Sequence, residues 1–328
     1  MIPPVLFIIF NRPDLTLLSF EAIRKAQPRE LFIAADGPRP DRPGEADLCN
    51  ESRKVIELVD WKCNVRTLFR DQNLGCRKAV SGAISWFFES VDEGIILEDD
   101  CVVDESFFPF CNELLERFRD DERIMAIGAE GYDNQSKRAD RVSYSFSGYP
   151  LIWGWATWKR AWEKYDDCLD DLDRLIADQW LLPYLGCAQV SNYWKNQLTM
   201  AKDGTLNTWG YRWFVSFWRN HGLCILPSEN LVSNIGYDCR GTHTLNPDWN
   251  VANRPRGHIT FALIHPKDVR RDYVLDSVLN RKRFEIPLAP RPIPAKELVR
   301  SIGSGMKELG VRAIRRIRRI FSTKVFGI

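Results

Sequence analysis

Residues Gly94–Asp104 read Gly-Ile-Ile-Leu-Glu-Asp-Asp-Cys-Val-Val-Asp. Three apolar residues, Ile95, Ile96 and Leu97, run into three consecutive acids, Glu98, Asp99 and Asp100. A short apolar run of this kind suits a strand buried in a parallel sheet. The acids then fall at its carboxyl end, where open α/β sheets take ligands. Side chains alternate along a strand, so Glu98 and Asp100 share one face and Asp99 takes the other. Two carboxylates side by side repel unless a cation joins them. Mg²⁺, or Mn²⁺ at an oxygen-rich site, takes carboxylates together with substrate phosphates, so the stretch is expected to form a metal–diphosphate site. A solvated acidic strand end would look the same in isolation.

Working outward, Val5–Phe10 reads as a buried first strand and Leu15–Lys25 as a helix. Leu31–Ala35 is a second strand, stopped by Asp36-Gly37-Pro38. A helix follows across Asn50–Val59, then a strand at Val65–Phe69, the loop Asp71–Gly75 and a helix at Cys76–Ser90. Strands alternating with helices at this spacing predict right-handed βαβ units in a doubly wound, mostly parallel α/β sheet. Beyond the acids, Ser106–Arg119 is expected to be helical and Ile124–Gly128 a strand. Helices are expected around Trp158–Tyr165, Gln189–Asp203 and Trp209–His221, and strands at Leu223–Leu226 and Ile259–Ile264. The expected division is 1–120 and 121–286, two halves of one domain, and 287–328, a Pro-rich linker and basic tail.

The 328 residues suffice for a full core. The net charge is +2, but residues 296–328 carry +7, leaving −5 on the body. An acidic body argues against nucleic acid as a partner. Nine scattered cysteines frame neither a zinc site nor a disulfide scaffold. No apolar run reaches bilayer length, and the start lacks the pattern of a signal peptide, so a cytoplasmic setting is expected. In the tail, Leu298, Ile302, Met306, Leu309, Ala313, Ile317 and Ile320 recur at helical spacing, with Arg312, Arg315, Arg316, Arg318 and Arg319 off that stripe. A basic amphipathic helix of this kind suits an anionic membrane surface, despite Gly303, Gly305 and Gly310.

Three segments converge on the sheet edge that holds the acids. Phe10-Asn11-Arg12 ends the first strand, and Arg12 offers a fork matched to phosphate. Asp36 ends the second strand, where an acid can accept from a base or ribose. Asn73-Leu74-Gly75-Cys76-Arg77-Lys78 opens a helix with cations in its first turn, an arrangement the macrodipole disfavours unless an anion binds there. Neither Gly-x-Gly-x-x-Gly nor a P-loop is present, which argues against dehydrogenases and P-loop enzymes.

Taken together, strand–Asn-Arg, strand–Asp-Gly, Asn-x-Gly–helix and strand–Glu-Asp-Asp–helix with Phe107-Phe108 resemble the nucleotide-diphospho-sugar transferase fold termed GT-A. Within it the chain is similar to N-acetylglucosaminyltransferase I and to bacterial haemolytic-protein-like glycosyltransferases, over roughly residues 3–245. The resemblance implies a metal-dependent, inverting hexosyl- or N-acetylhexosaminyltransferase. It would use a UDP-sugar and a glycan or lipid-linked acceptor at the inner face of the bacterial membrane, in surface polysaccharide synthesis. It makes 1–120 the nucleotide-sugar-binding half of the domain and 121–286 the acceptor half. It implies Asp36 at the base, Arg12 by the nucleotide, Asp100 on Mn²⁺ or Mg²⁺, and Glu98 and Asp99 at sugar and ribose. Phe10, Asn11 and Arg77 complete the expected donor site. Leu151–Trp158 resembles the segment shaping the sugar pocket, which points to Trp153, Gly154 and Trp155, with Trp209 and Tyr211 beside them. His243, in the resembled closing loop, is a second candidate metal ligand. The family's catalytic acid is replaced by Gly210, which leaves Glu130, Asp133, Asp203 or Glu229 as candidate bases. Three alternatives stand: a non-catalytic nucleotide-sugar-binding relative, which Gly210 favours, a sugar-1-phosphate nucleotidyltransferase, and a membrane-associated scaffold that binds anionic vesicles but no nucleotide.

Overall fold

The computed structural model describes residues 2–132, 142–238, 240 and 250–288. Asp133, His243 and the basic tail lie outside them. The chain divides into a unit of residues 1–286 and a second of residues 287–328. No helix among the described residues is long and apolar enough to cross a membrane.

The first four strands are β1 (Val5–Ile9), β2 (Glu30–Ala35), β3 (Asn64–Phe69) and β4 (Glu93–Glu98). Helices α1 (Pro13–Ala26), α2 (Glu45–Arg53) and α3 (Gly75–Phe88) connect them, α2 running into a 3₁₀ turn at Lys54–Leu58. All five residues of β1 are buried, as are four consecutive residues of β4. That explains why both read as unbroken apolar runs. A strand covered on both faces has no solvent side to mark with polar residues. The chain steps outward from β1 to β2 to β3, and α3 then carries it back to place β4 on the other side of β1. This reversal makes the gap between β1 and β4 the switch point of the sheet, where ligands settle in doubly wound folds. Ile8 pairs in register with Glu98, so both strands end at one level.

After β4, Asp99 and Asp100 turn the chain out of the main sheet into β5 (Cys101–Val103). There follow α4 (Phe107–Arg117), β6 (Ile124–Gly128), β7 (Tyr144–Ser147), β8 (Trp155–Trp158), α5 (Lys159–Trp162), α6 (Leu172–Ala177) and α7 (Leu181–Leu185). The chain continues through α8 (Ala188–Lys202), α9 (Gly210–Arg219), β9 (Leu223–Pro227), β10 (Val232–Asn234) and α10 (Tyr273–Lys282). The main sheet has eight strands in the order β3-β2-β1-β4-β8-β6-β9-β7, and β10 pairs with β5 in a separate two-stranded sheet. Neighbours β1–β2, β2–β3, β1–β4 and β6–β9 run parallel and the other three pairings antiparallel. The doubly wound, mostly parallel α/β sheet expected from sequence is therefore present.

Two elements differ from expectation. Ile259–Ile264 forms no strand; Ile259 and Leu263 bury their side chains singly, and Ile264 stands exposed. Trp155–Trp158 is a strand rather than part of a pocket wall. It inserts antiparallel beside β4, with all four residues buried. Trp155 stacks on Trp209 at 5.7 Å, and Trp162 and Trp213 close around it. Each such ring removes about 150–250 Å² from water, so the tryptophan-rich half is largely core.

Candidate functional site

Two cavities open at the switch point and meet at Arg12, Cys76 and Glu98. The first, about 240 Å³, lies between the ends of β1 and β2 and the start of α3, and takes in Phe10, Asn11, Asp36 and Asp99. Four guanidiniums line it: Arg12, Arg39, Arg70 and Arg240. The second, about 330 Å³, is walled by Trp153, Tyr193, Gln197, Trp209, Tyr211 and Phe214, with Asp100 and Arg283 at its inner side. Apolar ring surfaces carrying a few polar tips suit a sugar.

The acids are held from within. Arg12 Nη2 binds Asp99 Oδ1 and lies 2.9 Å from Asp100 Oδ2. Asp99 also accepts the Phe10 amide at 3.2 Å, and Ser19 donates to the Asp99 carbonyl at 2.8 Å. Burial pushes the Asp99 carboxyl up to about 6, with Arg12 pulling it back. Arg12 itself rises, its two carboxylates outweighing the cost of burial. The other oxygen of Asp100 faces the Asn234 amide and the Cys101 thiol, each at 3.5 Å. Gly236 closes over the group, since a Cβ there would fall on Asp100 Oδ2.

The expected metal ligand Asp100 is thus engaged by groups of its own chain. One oxygen of Asp100 carries a guanidinium beneath a packed backbone, and the other is turned to an amide and a thiol. Mg²⁺ is usually held by one or two carboxylates with substrate phosphates and waters, so the site needs at least one carboxylate oxygen left to the ion. Among the described residues no group of three or more His, Cys, Asp or Glu side chains could hold a metal ion. The second ligand named from sequence, His243, lies outside the described residues. The residues present do not fit a divalent ion at Asp100.

Asp36 is likewise engaged. Its oxygens accept the Leu74 amide at 3.0 and 3.1 Å and the Gly75 amide at 3.1 Å. The anion expected at the start of α3 is thus this carboxylate. Burial nonetheless raises the Asp36 carboxyl above its ordinary value, against the pull of those amides. Gly37 permits the approach, because a Cβ there would sit 2.5 Å from the Gln72 carbonyl carbon. Arg77 pairs with Asp167 at 3.7 Å and lines neither cavity. Asn11 donates to Glu45 at 2.8 Å, and Glu45 holds Arg39.

Glu98 differs from its neighbours. It is half-buried, lines both cavities and has no side-chain hydrogen bond or ion pair among the described residues. Burial, reinforced by Asp100 and Asp99, pushes its carboxyl up to about 8. The same burial holds the Cys76 thiol at about 12, so it stays protonated.

Three of the four candidate bases lie among the described residues, and none of the three lines either cavity. Glu130 is 1% exposed, accepts from Arg283 Nε at 2.9 Å and Tyr132 Oη at 3.0 Å, and lines neither cavity. Asp203 caps the exposed end of α8 and accepts from the Thr205 amide, and Glu229 is exposed on a loop. Neither reaches the site. Asp133 lies outside the described residues. Of the expected sugar-pocket residues, Trp153, Trp209 and Tyr211 line the second cavity, whereas Trp155 belongs to the core and Gly154 backs onto Val103 and Ala129. Arg70 and Arg283 escaped sequence reasoning, because neither stands in a recognisable pattern. Arg283 is buried over the Trp153 ring at 3.7 Å. Arg70 follows β3, donates to the Ala79 carbonyl at 3.2 Å and has no carboxylate within ion-pair distance among the described residues.

No protein-family model matches the sequence, and neither does any curated protein. Among solved structures, the chain is similar to the mannosyltransferase PcManGT from Pyrobaculum calidifontis in complex with GDP-Man and Mn²⁺. Identity is 11% and the TM-score 0.33, over 50% of this chain and 47% of that one. It is also similar to a putative glucose-1-phosphate thymidylyltransferase from Bacillus anthracis, at 8% identity and TM-score 0.32 over 52% and 76%. A cytidylyltransferase from Leptospira borgpetersenii gives 12% and 0.31 over 50% and 63%. The first match spans about half of the known structure. Likenesses this slight carry no argument about the site.

Proposed function

We propose that the chain transfers a sugar from a nucleoside-diphosphate donor, a UDP-sugar foremost, to a glycan or lipid-linked acceptor with inversion at the anomeric carbon. One observation carries the reading: an arginine-lined cavity and an aromatic-walled cavity share an edge at Arg12 and Glu98. A nucleotide in the first would present its sugar to the second. Inversion needs a group to take the acceptor hydroxyl's proton. Glu130, Asp203 and Glu229 line neither cavity and Asp133 lies outside the described residues; Glu98 is the one acid lining both cavities, and we assign it that role. The basic segment 296–328 would hold the enzyme at an anionic membrane, each cation adding about 1 kcal/mol. The biological setting would be surface polysaccharide synthesis.

Water can replace an unknown acceptor, so the test is slow release of UDP or GDP from a panel of nucleotide sugars. One donor is expected to be hydrolysed, and Glu98→Gln should lower that rate by about 10²–10⁴. If no donor binds, the reading fails. A second reading, a non-catalytic binder, draws on Gly210, which lines the sugar cavity where the resembled family carries an acid. It predicts tight donor binding without nucleotide release. A sugar-1-phosphate nucleotidyltransferase would instead release pyrophosphate from a nucleoside triphosphate.

A further inference from the structure

The arrangement at Asp99 and Asp100 extends the proposed function and rests on it. We infer that Arg12 stands where a divalent cation would, and that the donor diphosphate binds to arginines without a metal. Only Nη2 of Arg12 is used by the carboxylates; Nε and Nη1 have no partner among the described residues. The guanidinium is therefore anchored at one corner, and the side chain lines both cavities. A fork fixed in this way matches two phosphate oxygens, and its charge cannot be titrated away. Asp99 and Asp100 then serve as positioning residues that keep the fork from swinging into solvent.

Charge and sterics agree. Five arginines line the two cavities, of which Arg39, Arg240 and Arg283 are paired with Glu45, with Asp14 and Asp238, and with Glu130, while Arg70 lines the same cavity as Arg12 with no carboxylate in ion-pair distance among the described residues. A metal at Asp100 would have to expel Arg12 and displace the backbone at Gly236. Expelling one partner of a buried pair leaves the other charge uncompensated. None of His221, His258 or His265 lines either cavity. His258 is bound to Asp104 and His265 to Glu113.

The experiment titrates UDP and GDP into the full chain by calorimetry, in EDTA and separately in Mn²⁺ or Mg²⁺. The expected result is the same affinity, within about twofold, in all conditions. Arg12→Lys keeps the charge but loses the fork, and should weaken binding at least tenfold with the melting temperature little changed. Should Arg12→Lys fail to fold, the wild-type comparison in EDTA decides alone. Binding that appears only with metal overturns the inference and leaves the glycosyltransferase reading standing. Absence of binding by either nucleotide in every condition removes that reading, and this inference with it.

Discussion

At the scale of single residues, the site is a set of charges that answer one another across long sequence separations. Arg12 and Asp99 are 87 positions apart, Asp36 and Gly75 39. Composition and spacing showed which residue types gather at the sheet edge, because strand ends fix that. They could not show that Arg12 would be held by acids of its own chain, since this depends on how β5 turns Asp100 back toward β1. Glu98 is the residue left over, and its displaced carboxyl has a testable consequence. Its value rises from 4.5 to about 8, so the folded chain holds a proton the unfolded chain has released. Stability from this group is therefore present below about pH 4.5 and lost as pH rises toward 8. Glu98→Gln cannot ionise. Thermal melts at pH 5 and pH 8 should show a smaller drop for the variant than for the wild type, with the variant the more stable at pH 8. An equal drop would mean Glu98 is not shifted.

Among elements, the start of α3 depends most on a single side chain. Asp36 satisfies two amides that the helix geometry leaves orphaned. Asp36→Ala should lower stability by about 1–2 kcal/mol in denaturant melts, as losing a capping group does. It should also loosen the floor of the nucleotide cavity. Gly37→Ala should cost about 1–3 kcal/mol, because its methyl meets backbone that cannot rotate aside. The strands β1 to β4 were legible because doubly buried strands write themselves as apolar runs. β8 was not: Trp-Ala-Thr-Trp beside Gly154 reads equally as pocket wall, and only its place between β4 and β6 decides for core. Ile259–Ile264 has the composition of a strand without a partner edge to join, and composition alone cannot supply the edge.

For the whole molecule, residues far along the chain complete a site begun by the first strands. Arg283, at the end of α10, reaches back to Glu130 after β6 and covers Trp153. Arg283→Met would leave Glu130 buried without its cation, at a cost of about 3–5 kcal/mol measured by urea unfolding. A chain ending at Ile286 should still unfold cooperatively, since residues 1–286 form one unit. Pelleting with anionic vesicles should need residues 296–328 and weaken at high salt. The most direct measurement is a crystal structure of the protein with UDP or GDP bound. The nucleotide is expected in the cavity between the ends of β1, β2 and β4, with its phosphates on Arg12. A nucleotide settled outside that cavity would contradict that expectation.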